Sequence, residues 1–314
     1  MGRSVPPAVH RTIRVPAAER RCLITDMAVE LSTPQTGRLG DIVRELRDWQ
    51  DEALPTQLHP GDLGWYWRHG PEATAAALRT WSRDGRLVAI GFLDGPGVVR
   101  TTVTPGAWHE EELAGRLVAD LSDPRRGVLP AGKVSVEAPN GTLVQELLSE
   151  AGWSAGESWS PLRRELADPV EDAGLRVEVV GPGLVSEFTA VHRSAWGNPR
   201  FTDEWWRAMT AGTPYADACC LLGYDDRGVA VAGATVWSAG PGKPGLLEPV
   251  GVHADHRGHG YGRMISLAAA AALARLGSSS AEVCTPSSLT SAVATYRSAG
   301  FRQLPERLDR SRDA

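Results

Sequence analysis

The stretch that decides the fold runs from Val250 to Arg263 and reads VGVHADHRGHGYGR. It ends a mostly apolar run that starts at Leu246, which predicts a strand over 246–252. An alanine-rich run from Gly260 to Leu276 predicts a long helix directly after it. The stretch is therefore predicted to contain the end of a strand, a turn and the start of a helix.

Three glycines, Gly258, Gly260 and Gly262, lie in this turn. Without Cβ atoms they let the backbone approach a ligand closely and direct several N–H groups toward it. The helix that begins here adds the partial positive charge of its N-terminus, which favours a diphosphate. Arg257 and Arg263 can neutralise further negative charge. The pattern predicts a diphosphate-binding loop, although a plain turn can carry the same glycines.

Two other kinds of phosphate-binding loop fit the sequence less well. A dinucleotide-binding unit places its loop after the first strand and an acidic residue about 20 residues further on. Glu282 meets the second condition, because it lies 20 residues beyond Gly262. The glycine spacing does not match GxGxxG, however, and the loop comes late in the chain. No Gly-Lys-Ser/Thr sequence follows the glycines, which argues against a P-loop.

The composition is that of an ordinary globular protein. Of the 314 residues, 42% are hydrophobic and 23% are charged, and the length favours two domains. A net charge of −5 argues against nucleic acid as a partner, and no apolar run is long enough to predict a membrane span. The four cysteines form no CxxC pair, which argues against a disulfide framework or a structural zinc site.

The N-terminal segment is basic. Its first 26 residues carry five arginines and no continuous apolar region, which argues against a secretory signal. Residues 1–27 are predicted to be a flexible basic extension, with Met27 as an alternative start. The protein is expected in the cytoplasm.

The order of predicted elements repeats once along the chain. In the first half, helices are predicted over 38–54, 72–81, 110–121 and 141–151, and strands over 86–92, 98–103, 133–136 and 162–167. In the second half, helices are predicted over 184–196, 203–211, 260–276 and 289–299, and strands over 176–180, 219–224, 229–237, 246–252 and 281–284. Two short matches support a duplication. Val103-Thr104-Pro105 corresponds to Val252-His253-Ala254, and Leu148–Trp153 parallels Tyr296–Phe301 at an offset of 148 residues.

The glycine stretch and its flanking segments resemble the GNAT N-acetyltransferase superfamily. Arg257–Gly262 is similar to its (Gln/Arg)-x-x-Gly-x-(Gly/Ala) signature, Leu247–Val252 to its central strand and Ala292–Phe301 to its Tyr-x-x-x-Gly-Phe segment. In length and layout the chain resembles tandem GNAT proteins such as mycothiol synthase. The resemblance implies acetyl-CoA as co-substrate. It also implies coenzyme contacts from Val250, Gly251, Val252, Arg257, Gly258, His259, Gly260, Tyr261, Gly262 and Arg263.

The predicted fold class is accordingly α/β (α+β), with two tandem GNAT-like domains at 28–168 and 175–310. Each is expected to have a mixed, mostly antiparallel central sheet flanked by helices. The first half departs from the family pattern, because it has Pro105–Glu110 in place of the glycine loop and Leu148 in place of the tyrosine. In the second half, Leu289 stands where the family often has asparagine. We therefore expect a degenerate first domain that shapes the substrate cleft, and one working coenzyme site in the second half.

Glu248 and Tyr296 are the candidate catalytic residues. A carboxylate in a mostly apolar strand is costly to bury and would have its pKa raised, which suits a general base. An ion pair at the sheet surface is the alternative for Glu248. The family's usual base lies near Leu246, and alternation along a strand puts both residues on one face. By the resemblance, Tyr296 would protonate the departing thiolate; the alternative is that it packs its helix against the sheet.

Other side chains allow weaker interpretations. His253, His256 and His259 straddle a strand end and the loop, and Asp255 is the nearby carboxylate, so no metal is expected. Four further side chains lie where the family's acceptor-binding helices would be: His192, Trp196, Trp205 and Trp206. They either line the substrate pocket or pack those helices against the rest of the domain.

These features predict an N-acetyltransferase that moves an acetyl group from acetyl-CoA to the amine of a small-molecule acceptor. The amine would attack directly in a ternary complex, and the enzyme would be a monomer or a homodimer. Two alternatives stay open. One is a CoA-binding sensor or structural protein without turnover, and the other is an enzyme of the same fold that uses a different acyl-CoA.

Overall fold

The computed structural model describes residue 1 and residues 28–313. The predicted basic extension up to Met27 and the thiol of Cys22 lie outside the described residues, apart from Met1. Within residues 28–313, no helix is long and apolar enough to cross a membrane.

The described chain alternates strands and helices in an order that repeats. The strands are β1 (Glu30–Ser32), β2 (Leu78–Arg83), β3 (Arg86–Leu93), β4 (Val98–Val103), β5 (Val134–Glu137), β6 (Ser154–Glu165), β7 (Arg176–Val179), β8 (Ala218–Tyr224), β9 (Ala230–Ser238), β10 (Pro244–Val252), β11 (Ser280–Pro286), β12 (Arg302–Gln303) and β13 (Arg307–Arg312). The α-helices are α1 (Leu39–Asp48), α2 (Pro60–Tyr66), α3 (Pro71–Ala76), α4 (Glu111–Ser122), α5 (Leu143–Glu150), α6 (Val185–Trp196), α7 (Asp203–Thr210), α8 (Tyr261–Arg275) and α9 (Thr290–Ser298).

The strands form one continuous sheet through both halves. Its order is β1-β2-β3-β4-β5-β13-β6-β11-β10-β9-β8-β7, with β12 paired to β6. Two pairs are parallel, β4 with β5 and β10 with β11, and the other pairs are antiparallel. This confirms the predicted fold class of a mixed, mostly antiparallel sheet flanked by helices.

The two halves exchange their last strands. β6, which ends the first half, pairs with β11 of the second half through its residues Trp159 to Glu165. β13, which ends the chain, lies between β5 and β6. Because of this exchange the sheet has no break at the predicted domain limits, 28–168 and 175–310, and those limits stay a prediction.

The core of the second half lies between α8 and the sheet. Ala269, Ala270 and Ala272 of α8 are buried in the same cluster as Ala234 and Val236 of β9. Small side chains let the helix axis approach the strands closely. This packing holds the N-terminus of α8 next to the end of β10, where the glycine turn lies.

The predicted helix over 72–81 is wrong in its second part. The helix α3 ends at Ala76, and β2 begins at Leu78. Leu78 and Trp81 are fully buried, and Trp81 Nε1 donates to Asp120 Oδ2 at 2.9 Å. β2 pairs on both sides, with β1 and with β3, so ladder bonds and burial override the local helical pattern.

The helix α2 has no counterpart among the predicted elements. It starts at Pro60, and His59 caps it by accepting from the Gly61 amide at 2.9 Å while Asp62 Oδ2 accepts from the His59 amide at 2.6 Å. A Cβ atom at Gly61 or Gly64 would lie 2.5 or 2.3 Å from the Trp237 ring. The two glycines weaken the helix locally but let it pack on the second half, which brings Asp62 toward β10.

Candidate active site

A cavity opens where β10 separates from β11. The two strands pair only from Pro244 to Leu246, whereas β9 follows β10 as far as Val252. The register with β9 shifts between Leu247 and Val250, so β10 bends at Glu248 and Pro249. The cavity beside this bend has a volume of about 520 Å³ and is lined by residues from both halves of the chain.

The bend leaves amides of β10 directed into the opening between the strands. The His253 amide donates to Val231 O of β9 at 2.9 Å. Because successive amides of a strand point to opposite sides, those of Val252 and Val250 point toward the β11 side, where no strand of the described chain accepts them. Gly251 lies against α6, since a Cβ atom there would be 2.6 Å from Ala195 Cβ.

The glycine turn presents a row of unused donors. Gly258 and Gly260 both have φ of 81°, a backbone conformation that favours glycine. Across the described chain, no protein group accepts a hydrogen bond from the amides of residues 258–263. These amides precede or begin α8, so the helix dipole adds to their attraction for an anion.

Arg257 and Arg263 help to hold the loop. Arg257 Nη2 donates to Ala195 O at 2.6 Å, which ties the turn to the end of α6. Arg263 Nε donates to Ser298 O at 3.0 Å, which ties the start of α8 to the end of α9. Both side chains therefore position the turn, and Arg263 Nη2 also lies 3.7 Å from Glu171 Oε1.

The three histidines of this stretch lie on the surface of the turn. The rings of His253 and His256 are 5.4 Å apart, and the His259 ring stacks on Tyr261 at 6.0 Å. In the part of the chain that the structure describes, no group of three or more His, Cys, Asp or Glu side chains could hold a metal ion.

Glu248 lines the cavity among charged groups that come from the first half. Burial raises its pKa well above the usual range, and the carboxylates of Asp62 and Asp94 add to this shift, while Arg100 opposes it. A carboxylate with a raised pKa is a better proton acceptor near neutral pH. Leu246, the position of the family's usual base, lines the same cavity.

Buried arginines compensate the acidic groups around Glu248. Arg100 donates from Nη1 to Asp62 Oδ1 at 2.7 Å and from Nε to Glu137 Oε2 at 2.9 Å. Arg307, on the exchanged strand β13, donates to the same Glu137 oxygen at 2.7 Å. Since these residues lie far from the glycine stretch in sequence, no local pattern indicated that they would line the same cavity as Glu248.

Tyr296 also lines the cavity, from α9, and is 9% exposed. Burial raises the pKa of its hydroxyl, and the nearby charges of Glu248 and Cys284 raise it further. The hydroxyl is therefore protonated at neutral pH and can act as a proton donor. The structure brings both predicted catalytic residues to one cavity, and their roles stay predictions.

The corresponding turn of the first half is built differently. Its acidic residues Glu110, Glu111 and Glu112 lie at the start of α4, where their negative charge disfavours the binding of an anion. Trp108 is buried, and its carbonyl accepts from the Leu143 amide at 2.9 Å. Leu148, which corresponds to Tyr296, is fully buried.

Further side chains singled out from the sequence take separate places. His192 and Trp196 of α6 line the cavity, as does Leu289, whereas Trp205 and Trp206 are absent from its described lining. Glu282 is buried on β11, and Arg163 Nε donates to its Oε1 at 2.7 Å. Because this carboxylate is engaged by an arginine inside the sheet, the structure argues against the dinucleotide-binding interpretation.

The comparison with protein families agrees with this geometry. Residues 183–301 match the acetyltransferase (GNAT) family. The match includes the bent strand β10, the glycine turn and Tyr296, so the GNAT signature coincides with the opening between β10 and β11.

Solved structures extend the GNAT likeness over most of the chain. A GCN5-related N-acetyltransferase from Sphaerobacter thermophilus is 20% identical with a TM-score of 0.57, and covers 91% of this chain and 95% of its own. A tandem GNAT protein from the clavulanic acid biosynthesis pathway is 14% identical with a TM-score of 0.60, and the match covers 91% of this chain and 98% of that protein. A GNAT-family acetyltransferase from Colwellia psychrerythraea is 16% identical with a TM-score of 0.57, and the match covers 91% of this chain and 100% of that protein.

These likenesses show the fold, which consists of two tandem GNAT-like domains. No sequence among the curated proteins matches the chain.

Proposed function

We propose that the protein is an acetyl-CoA-dependent N-acetyltransferase that acts on a small-molecule amine through one coenzyme site in its second half. One observation carries the proposal: the bent strand β10 lines a cavity with Leu246–Val250, together with Tyr296, and the turn at 258–263 with its free amides follows the end of this strand. The coenzyme's diphosphate would bind at the turn, and its pantetheine would lie along Val250 and Val252.

The cavity supplies the groups that acyl transfer requires. The amine nitrogen attacks the thioester carbonyl, which forms a C–N bond and develops negative charge on the carbonyl oxygen. A free β10 amide would stabilise that oxygen. Glu248 takes the proton that the nitrogen loses, the C–S bond breaks, and Tyr296 protonates the departing thiolate. Proton exchange with solvent then returns both residues to their starting states.

Turnover itself tests this proposal. Purified protein is incubated with acetyl-CoA and a panel of primary amines, and release of the CoA thiol is followed together with the mass of the acetylated product. We expect at least one amine to be acetylated, and Tyr296→Phe to lower kcat at least tenfold because the thiolate then leaves unprotonated. If acetyl-CoA binds tightly and no amine is acetylated, a CoA-binding protein without turnover replaces the proposal.

The glycine turn gives a second prediction, on coenzyme affinity. Gly260→Ala places a side chain on a residue with φ of 81°, which costs about 1–2 kcal/mol in that conformation. The loop would relax when free and have to regain its shape on binding, so we expect the Kd for CoA to rise about tenfold. Isothermal titration calorimetry measures this change.

Gly228→Ala is the matched control. Gly228 also has φ of 81° and is exposed, but it lies in the turn between β8 and β9. We expect both variants to lose a similar amount of stability and only Gly260→Ala to lose affinity. Equal Kd values for the two variants would show that the turn does not hold the coenzyme.

A further inference from the structure

Among the residues that the structure describes, one arginine of the cavity has no ion-pair partner. Arg68 lies just after α2 and lines the cavity. Among residues 28–313, no carboxylate oxygen comes within 4.0 Å of its guanidinium nitrogens. Within the described part of the chain, its side chain makes one hydrogen bond, from Nη1 to Trp65 O at 2.6 Å. Arg100 and Arg307, the other arginines that line the cavity, each donate to a carboxylate.

Aromatic rings hold Arg68 in position. The centre of its guanidinium lies 4.3 Å from the ring centroid of Trp65 and 5.8 Å from that of Trp205. Such contacts stabilise a cation and limit its movement without neutralising it. Asp94 and Glu248 are close enough to affect the pKa of Arg68, but burial is the larger influence and lowers it. Arg68 is thus a fixed cation whose donors are mostly unused.

His192 reaches the same place from the second half. Its ring centroid is 5.2 Å from that of Trp65, the tryptophan on which Arg68 lies. Both ring nitrogens of His192 are buried and have no hydrogen-bond partner within the described chain. Burial and the nearby charge of Arg68 lower its pKa to about 4, so the ring is neutral and carries one N–H donor at neutral pH. Buried polar atoms without a partner are rare, and a bound ligand is one explanation for them.

The charges of the cavity are therefore of two kinds. Around Glu248, the carboxylates of Asp62 and Asp94 favour a positively charged group. At Trp65, Arg68 and His192 offer unused donors, which favour a negatively charged group. The volume of about 520 Å³ is within the range of small-molecule sites.

We infer that the acceptor carries an anionic group, a carboxylate or a phosphate, which Arg68 and His192 bind while the amine faces Glu248. This inference rests on the proposed acetyl transfer and adds to it the chemical class of the acceptor. A group held at both ends would place its nitrogen for attack, and it would discriminate against simple amines that lack the anion.

Matched pairs of amines test this inference. Each pair differs only in the anionic group: 4-aminobutyrate and propylamine, phenylalanine and phenethylamine, phosphoethanolamine and ethanolamine. We expect the anionic member of at least one pair to have a kcat/KM at least tenfold higher, and the pair that responds distinguishes carboxylate from phosphate. In Arg68→Gln the ratio of the two kcat/KM values within that pair should fall toward one. Arg68→Lys, which keeps the positive charge, should keep part of the preference for the anionic amine.

Arg44→Gln is the control, because it removes the same charge from an exposed position on α1, and it should leave the ratio unchanged. Equal kcat/KM values within every pair, or a preference that survives in Arg68→Gln, would overturn the inference. If no amine is acetylated, the proposed function fails and binding decides instead. We then expect glutarate or inorganic phosphate to raise the Tm of the wild type more than that of Arg68→Gln, and equal Tm shifts would overturn the anion site.

Discussion

Replacing Glu248 with glutamine should lower kcat about a hundredfold or more while leaving the fold intact. General-base catalysis contributes about a hundredfold to ten-thousandfold, and glutamine has nearly the same shape but cannot accept the proton. Steady-state kinetics with acetyl-CoA and the best amine of the panel measures the loss. In the wild type, activity should fall as the pH drops through the raised pKa of Glu248, because the base must be ionised.

Although Glu248→Gln should lower kcat, it should not lower the stability of the protein. Since the pKa of Glu248 is raised, the folded protein binds more protons than the unfolded chain between the two pKa values. The stability contribution of this group is therefore lost as the pH rises above its unfolded value of about 4.3. Glutamine removes that loss, so we expect Glu248→Gln to have a Tm at neutral pH equal to or above that of the wild type.

Glu282→Gln is the matched control for Glu248→Gln. Glu282 is also a buried strand carboxylate with a raised pKa, but it pairs with Arg163 and is not among the residues that line the cavity. We expect it to lower stability, because the ion pair is broken, and to keep kcat. A Glu248→Gln enzyme within threefold of wild-type kcat would show that Glu248 is a structural residue.

A chain that ends at Leu304 should lose its cooperative fold, which is the second large effect. Such a chain lacks β13, the strand that joins β5 to β6 in the centre of the sheet. It also loses Arg307, which donates to Glu137. Glu137 still accepts from Arg100 in the truncated chain. Breaking this buried ion pair should therefore cost the lower end of the usual range, about 3 kcal/mol. Each ladder hydrogen bond contributes about 1 kcal/mol more, in a protein expected to be stable by about 5–15 kcal/mol.

Thermal unfolding followed by circular dichroism measures this effect. A peptide with the sequence of residues 305–313, added in trans, should restore part of the transition by occupying the strand position, and a scrambled peptide of the same composition should not. A truncated chain that unfolds cooperatively within a few degrees of the full-length protein would contradict the role given to β13.

Much of the candidate coenzyme site could be predicted from the sequence, because its parts are close together in the chain. An apolar run, a glycine turn and an alanine-rich segment each specify their own local backbone, and the structure places them as β10, the turn and α8. The boundaries differ from the prediction by a few residues. Glu248 is four residues before Val252, so any strand that ends at this turn brings it to the site.

The acceptor side could not be predicted in the same way. Asp62 and Arg68 depend on α2, a short helix whose proline and glycines give it little helical signal, and which forms because Gly61 and Gly64 let it pack on Trp237. The exchange of β6 and β13 also leaves no local signal, since each strand could have paired within its own half.

The sequence alone determined the strand, turn and helix at Val250–Arg263 and the presence of Glu248 beside them, because short-range backbone preferences decide these features. Tyr296 reaches the same cavity only because α9 packs there. The tertiary structure alone decided which charges face Glu248. The contacts of Arg100, Arg307 and Arg68 join segments far apart in the chain, and such contacts exist only once α2 has docked and β13 has entered the sheet.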